Sequence, residues 1–367
     1  MNKIAIILAS RANYGRLLSV MRAVRDHPAL ELQLIVGASA LLDRYGGDSL
    51  LDTIEREFTI DERIYTQVEG DTPGCMALTE GLFTIQLVNA FERLKPDVCV
   101  LHGDRHENLA IAKTAAYCNL TVAHTEGGEV TGSIDDKVRN AITQLADIHF
   151  PVTWQAGMRV RAMCPDARVH VVGSTALDSL ACEDLDRLPD IRGVGATLDP
   201  SKPYLVVLAH AVTTEYGDAW TQAETLIRAV ETLHMPTVWL WSNADAGSDD
   251  ISGAIRRWRE RERPDYVCMV KNLPPVDYAR LLNNCACLVG NTSSGIKEGA
   301  WMGVGYTLCG TRQQGREVGG NVVRVGWDAD EIVRVTREQV AHGKYDRDLR
   351  FGDGTAGRQI AQILAEV

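Results

Sequence analysis

The sequence predicts an α/β protein made of two halves of similar size, each a parallel β-sheet covered by helices on both faces. Three observations carry that expectation: apolar runs of strand length alternate with amphipathic stretches of helix length, the alternation breaks between residues 181 and 202, and it then resumes in the same form. With 367 residues and 45% of them apolar, the chain has material for two ordinary cores rather than one oversized core. A charged fraction of 24% leaves no long stretch that must stay unfolded.

In the first half the runs 3–9, 33–37, 97–102 and 121–124 have strand character, and 14–25, 78–94 and 107–117 have helical periodicity. In parallel sheets of this kind the chemistry lies in the loops after the C-terminal ends of the strands. Between 181 and 202 the acidic pair Glu183-Asp184, Pro189, Gly193, Gly195 and Pro200 destroy any period, so this segment reads as a linker. Strand-like runs follow at 204–209, 237–241, 266–270 and 285–290, each leading into a helical stretch. The expected organisation is a first domain over 1–180, a linker over 181–202 and a second domain over 203–353. A terminal helix within 354–367 is free to fold back on the first domain. There is no short repeat, low-complexity tract or heptad pattern.

Several function classes are excluded by composition. A formal charge of −11 and a pI near 5.3 give no field that draws nucleic acid or an anionic membrane, so any phosphate must be held by a local pocket. No apolar run approaches spanning length and the N-terminus runs straight into a strand, which leads us to expect a cytoplasmic protein without a signal peptide. The nine cysteines form no CxxC pair and have no histidine at zinc spacing. Cys285-Ala286-Cys287 lies in an apolar run and reads as small buried strand residues, so neither metal nor disulfide is expected.

The loops after the strands carry the candidate chemistry. Ser10-Arg11-Ala12-Asn13-Tyr14-Gly15-Arg16 opens the first helix, where unpaired backbone N–H groups bind phosphate and Arg11 and Arg16 can add charge-assisted bonds; alternatively, the two arginines solvate a loop and a helix face. His102-Gly103-Asp104-Arg105 ends a strand in a polar run, with Asp104 as a helix cap or a reactive carboxylate. The segment 124–136 crowds Glu126, Glu129, Asp135 and Asp136 with three glycines into one loop. Carboxylates made unequal by such crowding suit acid/base work. Asp136 fits a first-turn capping role, and Glu126 and Asp135 fit a functional one.

In the second half His210 stands at a strand end, where as a catalytic candidate it can donate to phosphate or shuttle a proton, and Asn243 occupies the corresponding place after the next strand, as a loop former or a ligand contact. Gly290-Asn291-Thr292-Ser293-Ser294-Gly295-Ile296-Lys297-Glu298 is the sharpest feature. Three hydroxyls and free N–H groups at a helix start make a phosphate cradle without net charge, and Glu298, one turn on, can reach a ribose; a capping box is the plainer reading. Arg312 sits in a glycine-bounded loop able to close over a nucleotide, and Arg316 fits a solvated one.

Taken together, the segments 10–16, 102–105, 124–136, 139–145, 210–214, 243–248, 290–298 and 310–316 resemble, in order, the hydrolysing UDP-N-acetylglucosamine 2-epimerases. The resemblance implies two Rossmann-like domains facing across a cleft, the GT-B type. It implies a nucleotide-sugar substrate, UDP-GlcNAc or a close analogue, held with Ser293 and Ser294 near the phosphates, Glu298 near the ribose, and Arg11, His210 and Arg312 around the diphosphate. Acid/base roles for Asp104, Glu126 and Asp135 follow from it, with His102, Arg105, Arg16 and Asn243 as further contacts. It implies no cofactor, no fused kinase domain, and a homodimer or homotetramer.

The chain departs from the family pattern at Asn13, where Asp is usual, at Ala211 and Tyr306-Thr307, where Pro occurs, and at Asp147, where His is frequent. The absence of a carboxylate at Asn13 bears on sugar contacts and substrate identity more than on the reaction. The nearest rival is a non-hydrolysing epimerase, whose relatives carry a Thr-rich run after His-Gly-Asp and a Glu-Ala-Gly-Leu-Arg segment; this chain has Arg105-His106-Glu107 and Glu126-Gly127-Gly128-Glu129 instead. A glycosyltransferase of the same fold would need an acceptor. A regulator that binds nucleotide sugar without turnover would not need the carboxylates.

Overall fold

The computed structural model describes residues 1–42, 47–68, 73–131, 135–212, 215, 217–242, 248–271 and 273–367. These form two compact units, one of Met1–Ala181 with Phe351–Val367 and the other of Cys182–Arg350.

The first unit is built on strands β1 (Asn2–Leu8), β2 (Leu30–Gly37), β3 (Glu62–Ile64), β4 (Val98–His102), β5 (Thr121–Thr125), β6 (Ile148–Phe150) and β7 (Arg168–Val169). Its helices are α1 (Arg11–Asp26), α2 (Gly47–Glu55), α3 (Pro73–Leu94), α4 (His106–Tyr117), α5 (Asp135–Leu145), α6 (Trp154–Met163) and α7 (Ala176–Ala181). The sheet runs β3-β2-β1-β4-β5-β6-β7, and every pairing is parallel. The central strand is apolar throughout because both of its faces are covered. Ile4, Ile6 and Leu8 join Leu17, Val20 and Val24 of α1 on one face, while Ala5 and Ile7 join Phe83 and Leu87 of α3 and Ile111 of α4 on the other.

In the second unit β8 (Val194–Gly195), β9 (Leu205–Leu208), β10 (Thr237–Leu240), β11 (Val267–Val270), β12 (Cys287–Gly290), β13 (Tyr306–Cys309) and β14 (Val322–Val325) form a sheet in the order β14-β13-β12-β9-β10-β11-β8. Helices α8 (Ala219–Leu233), α9 (Ser248–Glu262), α10 (Pro275–Asn284), α11 (Lys297–Met302) and α12 (Ala329–His342) connect them. Leaving β7 and β8 aside, this is the same winding as in the first unit, with the strand order reversing between β9 and β12 as it does between β1 and β4. Those reversals are where doubly wound sheets open a crevice at their C-terminal edge.

Two expectations need correction. Residues 182–202 are not a bare linker: they belong to the second unit, and β8 pairs antiparallel with β11 through Gly195 and Val194. Two residues are too few to leave a periodic trace. Cys285 is buried but caps α10, and the strand begins only at Cys287.

The last helix, α13 (Ala356–Leu364), returns to the first unit and packs on α1. Asp178 receives it, accepting from the N–H groups of Ala356 and Gly357 at 3.1 and 2.6 Å, and Ile360 and Leu364 are fully buried in the core beside Leu17 and Val20. The second unit is thus an insertion between α7 and α13. Among the described residues no helix is long and apolar enough to cross a membrane.

Candidate functional site

At the C-terminal edge of the first sheet, the loop after β1 is closed by an exchange between Ser10 and Asn13. The Asn13 Oδ1 accepts from the Ser10 N–H and hydroxyl, both at 3.0 Å, and the Asn13 N–H donates to the Ser10 carbonyl at 3.0 Å. The amide oxygen does what a carboxylate would do there, and buried Asn13 is accounted for by capping. Arg11 is exposed, whereas Arg16 turns its Nη1 to Glu126 Oε2 at 3.5 Å.

Glu126 follows β5 in the left-handed region, at φ +63°, a conformation that costs a non-glycine residue about 1–3 kcal/mol and persists where its surroundings dictate it. Its surroundings are specific: Oε1 accepts from the Ser174 hydroxyl at 2.9 Å, while Oε2 lies 3.5 Å from Arg16 and 3.7 Å from His102 Nε2. His102, buried at the end of β4, is oriented by Thr125 Oγ1 at 2.8 Å from its Nδ1. The loop beyond Glu126 is pressed on α6, since a Cβ at Gly128 (φ +79°) would meet the Ala156 carbonyl oxygen at 2.2 Å.

Asp104, one strand away, pairs with Arg139 of α5. Arg139 is 1% exposed and also reaches the Glu129 carbonyl at 2.8 Å and Asp136. Asp136 in turn accepts from the N–H and hydroxyl of Thr131, both at 2.8 Å, and so closes the start of α5. Asp135 stands half-buried in the first turn of α5. The turn carrying Asp104 is held from below by His124. Burial pushes this imidazole down to about 3, so it is neutral, and its Nε2 lies 2.9 Å from the Gly103 carbonyl oxygen to which it donates. Arg105 is exposed and forms a two-point pair with the fully buried Glu107, at 3.1 and 3.2 Å.

In the second unit, Asn291 ties the ends of β9 and β12 together. Its Oδ1 accepts from the His210 N–H at 2.7 Å, and its Nδ2 donates to the His210 carbonyl at 2.8 Å. Arg312 and Gln313 both donate to the Asn291 carbonyl, at 3.4 and 3.2 Å, which draws their loop over the same strand end. Beyond it Thr292 Oγ1 accepts from the Ser294 N–H at 3.4 Å and opens a short 3₁₀ turn, Ser293–Gly295, leading into α11. Ser293, Ser294, Glu298 and Arg312 are half-buried. Tyr306 braces the turn from the core: its hydroxyl lies 3.1 and 2.8 Å from the carbonyl oxygens of Gly290 and Thr292.

Of the residues singled out in the sequence, His102, Asp104 and Glu126 lie at strand ends of the first unit, with Arg16 on α1 and Asp135 opening α5, and His210, Ser293, Ser294 and Arg312 follow strands of the second, with Glu298 on α11. Asn243 lies outside the described residues. Arg139 and Asn291 lie within the segments 139–145 and 290–298 without a distinct signal of their own, and nothing in the sequence marks Ser174. Ser174 is 48 residues from its partner and Asn291 is 81 from its own, so only the fold brings them together. Among the described residues no group of three or more His, Cys, Asp or Glu is placed to hold a metal ion.

His210 is 5% exposed, and burial, then the nearby Arg312 charge, push its imidazole from the ordinary 6.5 down to about 3. It is therefore neutral at pH 7 and can donate to an anion. The unfolded chain takes up a proton below about 6.5 that the folded one refuses, so stability is lost as pH falls from there towards 3. By pH 5 this one residue costs on the order of 2 kcal/mol. Thermal melts of wild type and His210→Gln at pH 7 and pH 5 check it. The variant is expected to lose that much less on acidification, and equal slopes would contradict the assignment.

A sequence profile of the family described as UDP-N-acetylglucosamine 2-epimerase matches residues 22–365. The chain is 27% identical to the UDP-N-acetylglucosamine 2-epimerase of Neisseria meningitidis serogroup B, over 99% of this chain and 95% of that protein. It is 28% identical to the UDP-N,N'-diacetylbacillosamine 2-epimerase (hydrolyzing) of Legionella pneumophila, over 100% and 96%. The fold is that of the crystal structure of UDP-GlcNAc 2-epimerase from Neisseria meningitidis bound to UDP-GlcNAc, with a TM-score of 0.82 at 15% identity and full coverage of both chains. This likeness, with the two sheet orders, shows the GT-B type of fold with two Rossmann-like units.

Proposed function

The chain belongs to the UDP-N-acetylglucosamine 2-epimerase family, and from that membership we propose that it is a hydrolysing 2-epimerase. It takes UDP-GlcNAc or a close analogue and releases UDP and the 2-epimeric free sugar, N-acetylmannosamine or its analogue. The observation that carries this reading is the pair of carboxylates at neighbouring strand ends, Asp104 against Arg139 and Glu126 among Ser174, Arg16 and His102.

The C2 proton of an N-acetylated sugar is not acidic on its own. It becomes so when the bond from C1 to the diphosphate oxygen lengthens and positive charge develops at C1. Neutral His210, Arg312, the hydroxyls of Ser293 and Ser294 and the N–H groups of their turn stabilise the charge growing on the departing UDP. A carboxylate from the pair Asp104 and Glu126 takes the C2 proton, and the electrons of that C–H bond form the C1–C2 double bond of a 2-acetamidoglucal. Water then adds its oxygen to C1, and an acid from Asp135 or Glu126 returns a proton to C2 on the opposite face. The balance is substrate plus water to UDP plus the epimeric sugar, and neither oxidant nor reductant takes part.

Two things support hydrolysis over return of UDP to C1: the full-length likeness to a relative named as hydrolyzing, and Arg105-His106-Glu107 in place of a Thr-rich run. Incubation of the protein with UDP-GlcNAc alone in deuterated water, followed by proton NMR, tests the reading. The expected product is a free manno-configured sugar with deuterium at C2, with one UDP released for each. A product still attached to UDP would make the enzyme non-hydrolysing, and protium retained at C2 would remove the glycal. Without any reaction until an acceptor is added, the glycosyltransferase reading would replace this one.

A further inference from the structure

We infer that Ser174 is a positioning residue that selects which oxygen of Glu126 works on the substrate, an inference that rests on the acid/base reading of Glu126 given above. Ser174 follows β7, is completely buried, and donates its hydroxyl to Glu126 Oε1 at 2.9 Å. Its main chain is pinned on both sides. The N–H donates to the Phe351 carbonyl at 2.6 Å, and its own carbonyl accepts from the Leu177 N–H at 3.1 Å at the start of α7. The preceding Gly173, at φ +88°, lies so close to the returning chain that a Cβ there would come within 2.5 Å of Gly352 Cα. On so constrained a backbone only χ1 and the rotation of the hydroxyl proton are left, and both are spent on Glu126.

The glutamate needs such a partner. It has three side-chain torsions, and the left-handed backbone that carries it does not by itself choose among their rotamers. Ser174 takes Oε1, while Oε2 is turned to Arg16 and His102. The two oxygens are therefore inequivalent, and Oε2 is the one presented for proton transfer. A hydroxyl that donates to a carboxylate oxygen stabilises the ionised form over the protonated one and fixes the direction in which it faces.

The test uses the full-length protein and three readouts: kcat, KM and the pH profile of kcat/KM, with UDP-GlcNAc as the probe. Ser174→Ala is expected to lower kcat about 10- to 100-fold, leave KM within about threefold, and move the acidic limb of the profile upward by roughly half to one pH unit. Ser174→Thr, which keeps a hydroxyl, is expected to recover most of the rate, and Ser174→Cys covers the case in which the extra methyl does not fit. UDP binding and melting of each variant establish that it is folded. Loss of kcat with an unmoved acidic limb would make Ser174 merely structural and overturn the inference, as would an alanine variant that matches wild type. If wild type itself puts no deuterium at C2, the acid/base reading fails first and takes this inference with it.

Discussion

Glu126→Gln is expected to lower turnover at least about a thousandfold while UDP binds within about threefold of wild type, because an amide can neither take nor return a proton. The substitution is nearly isosteric, so the backbone at φ +63° sees no new atom, and the Ser174 hydroxyl can still donate to Oε1. What changes is the second position, where an NH₂ would confront Arg16 Nη1 and His102 Nε2, the groups now 3.5 and 3.7 Å from Oε2. Some loss of stability accompanies that mismatch, about 1–3 kcal/mol for a buried group. The UDP-binding residues proposed for the second unit are untouched. Steady-state kinetics with calorimetric titration of UDP separates the effects. A variant within tenfold of wild type would exclude Glu126 from the chemistry, and parallel loss of turnover and UDP affinity would give it a structural role.

Gly290→Ala is expected to cost about 2–6 kcal/mol and to abolish UDP binding with it. Gly290 ends β12 at φ +137°, a region open only to glycine, which alone accounts for about 1–3 kcal/mol. A Cβ there would also stand 2.0 Å from the Leu208 carbonyl oxygen, the atom that accepts the Asn291 N–H at 3.2 Å. Alanine must therefore force β9 and β12 apart at the point where Asn291 clasps His210, and overpacking of that kind adds about 1–3 kcal/mol. Gly320→Ala is the control, since a Cβ at that position meets nothing within 4 Å. Thermal and urea melts of the two variants decide it, and a Gly290→Ala protein that melts with wild type would show that the strands yield without cost.

The sequence made the central strands legible because each is an apolar run of four or more residues buried on both faces, as in β1, β4, β9 and β12. It hid β6, β7 and β8, which have three, two and two residues, because a period of two cannot register in so short a span. The strand-end loops stood out for a physical reason: a polar run directly after an apolar strand has no packing purpose. That signal found Asp104, Glu126, His210 and the hydroxyl run, all of which sit at strand ends. It passed over Ser174 and Asn291, whose work is to hold another residue's atoms. Asn13 shows the same limit from the other side, since in the sequence its amide stands out as the absence of a carboxylate, whereas in the structure it closes the Ser10 cap.

The order in which the chain is made has a consequence for its first half. The second unit is one continuous stretch, whereas the first is made of the two segments that flank it, with Ile360, Ala361 and Leu364 following it in the chain. On the ribosome, residues 182–350 can therefore complete their core while Leu17, Val20 and Val24 still lack the helix that covers them. The newborn first half therefore keeps an apolar groove open until residues 356–364 have been made, after the second unit is already complete.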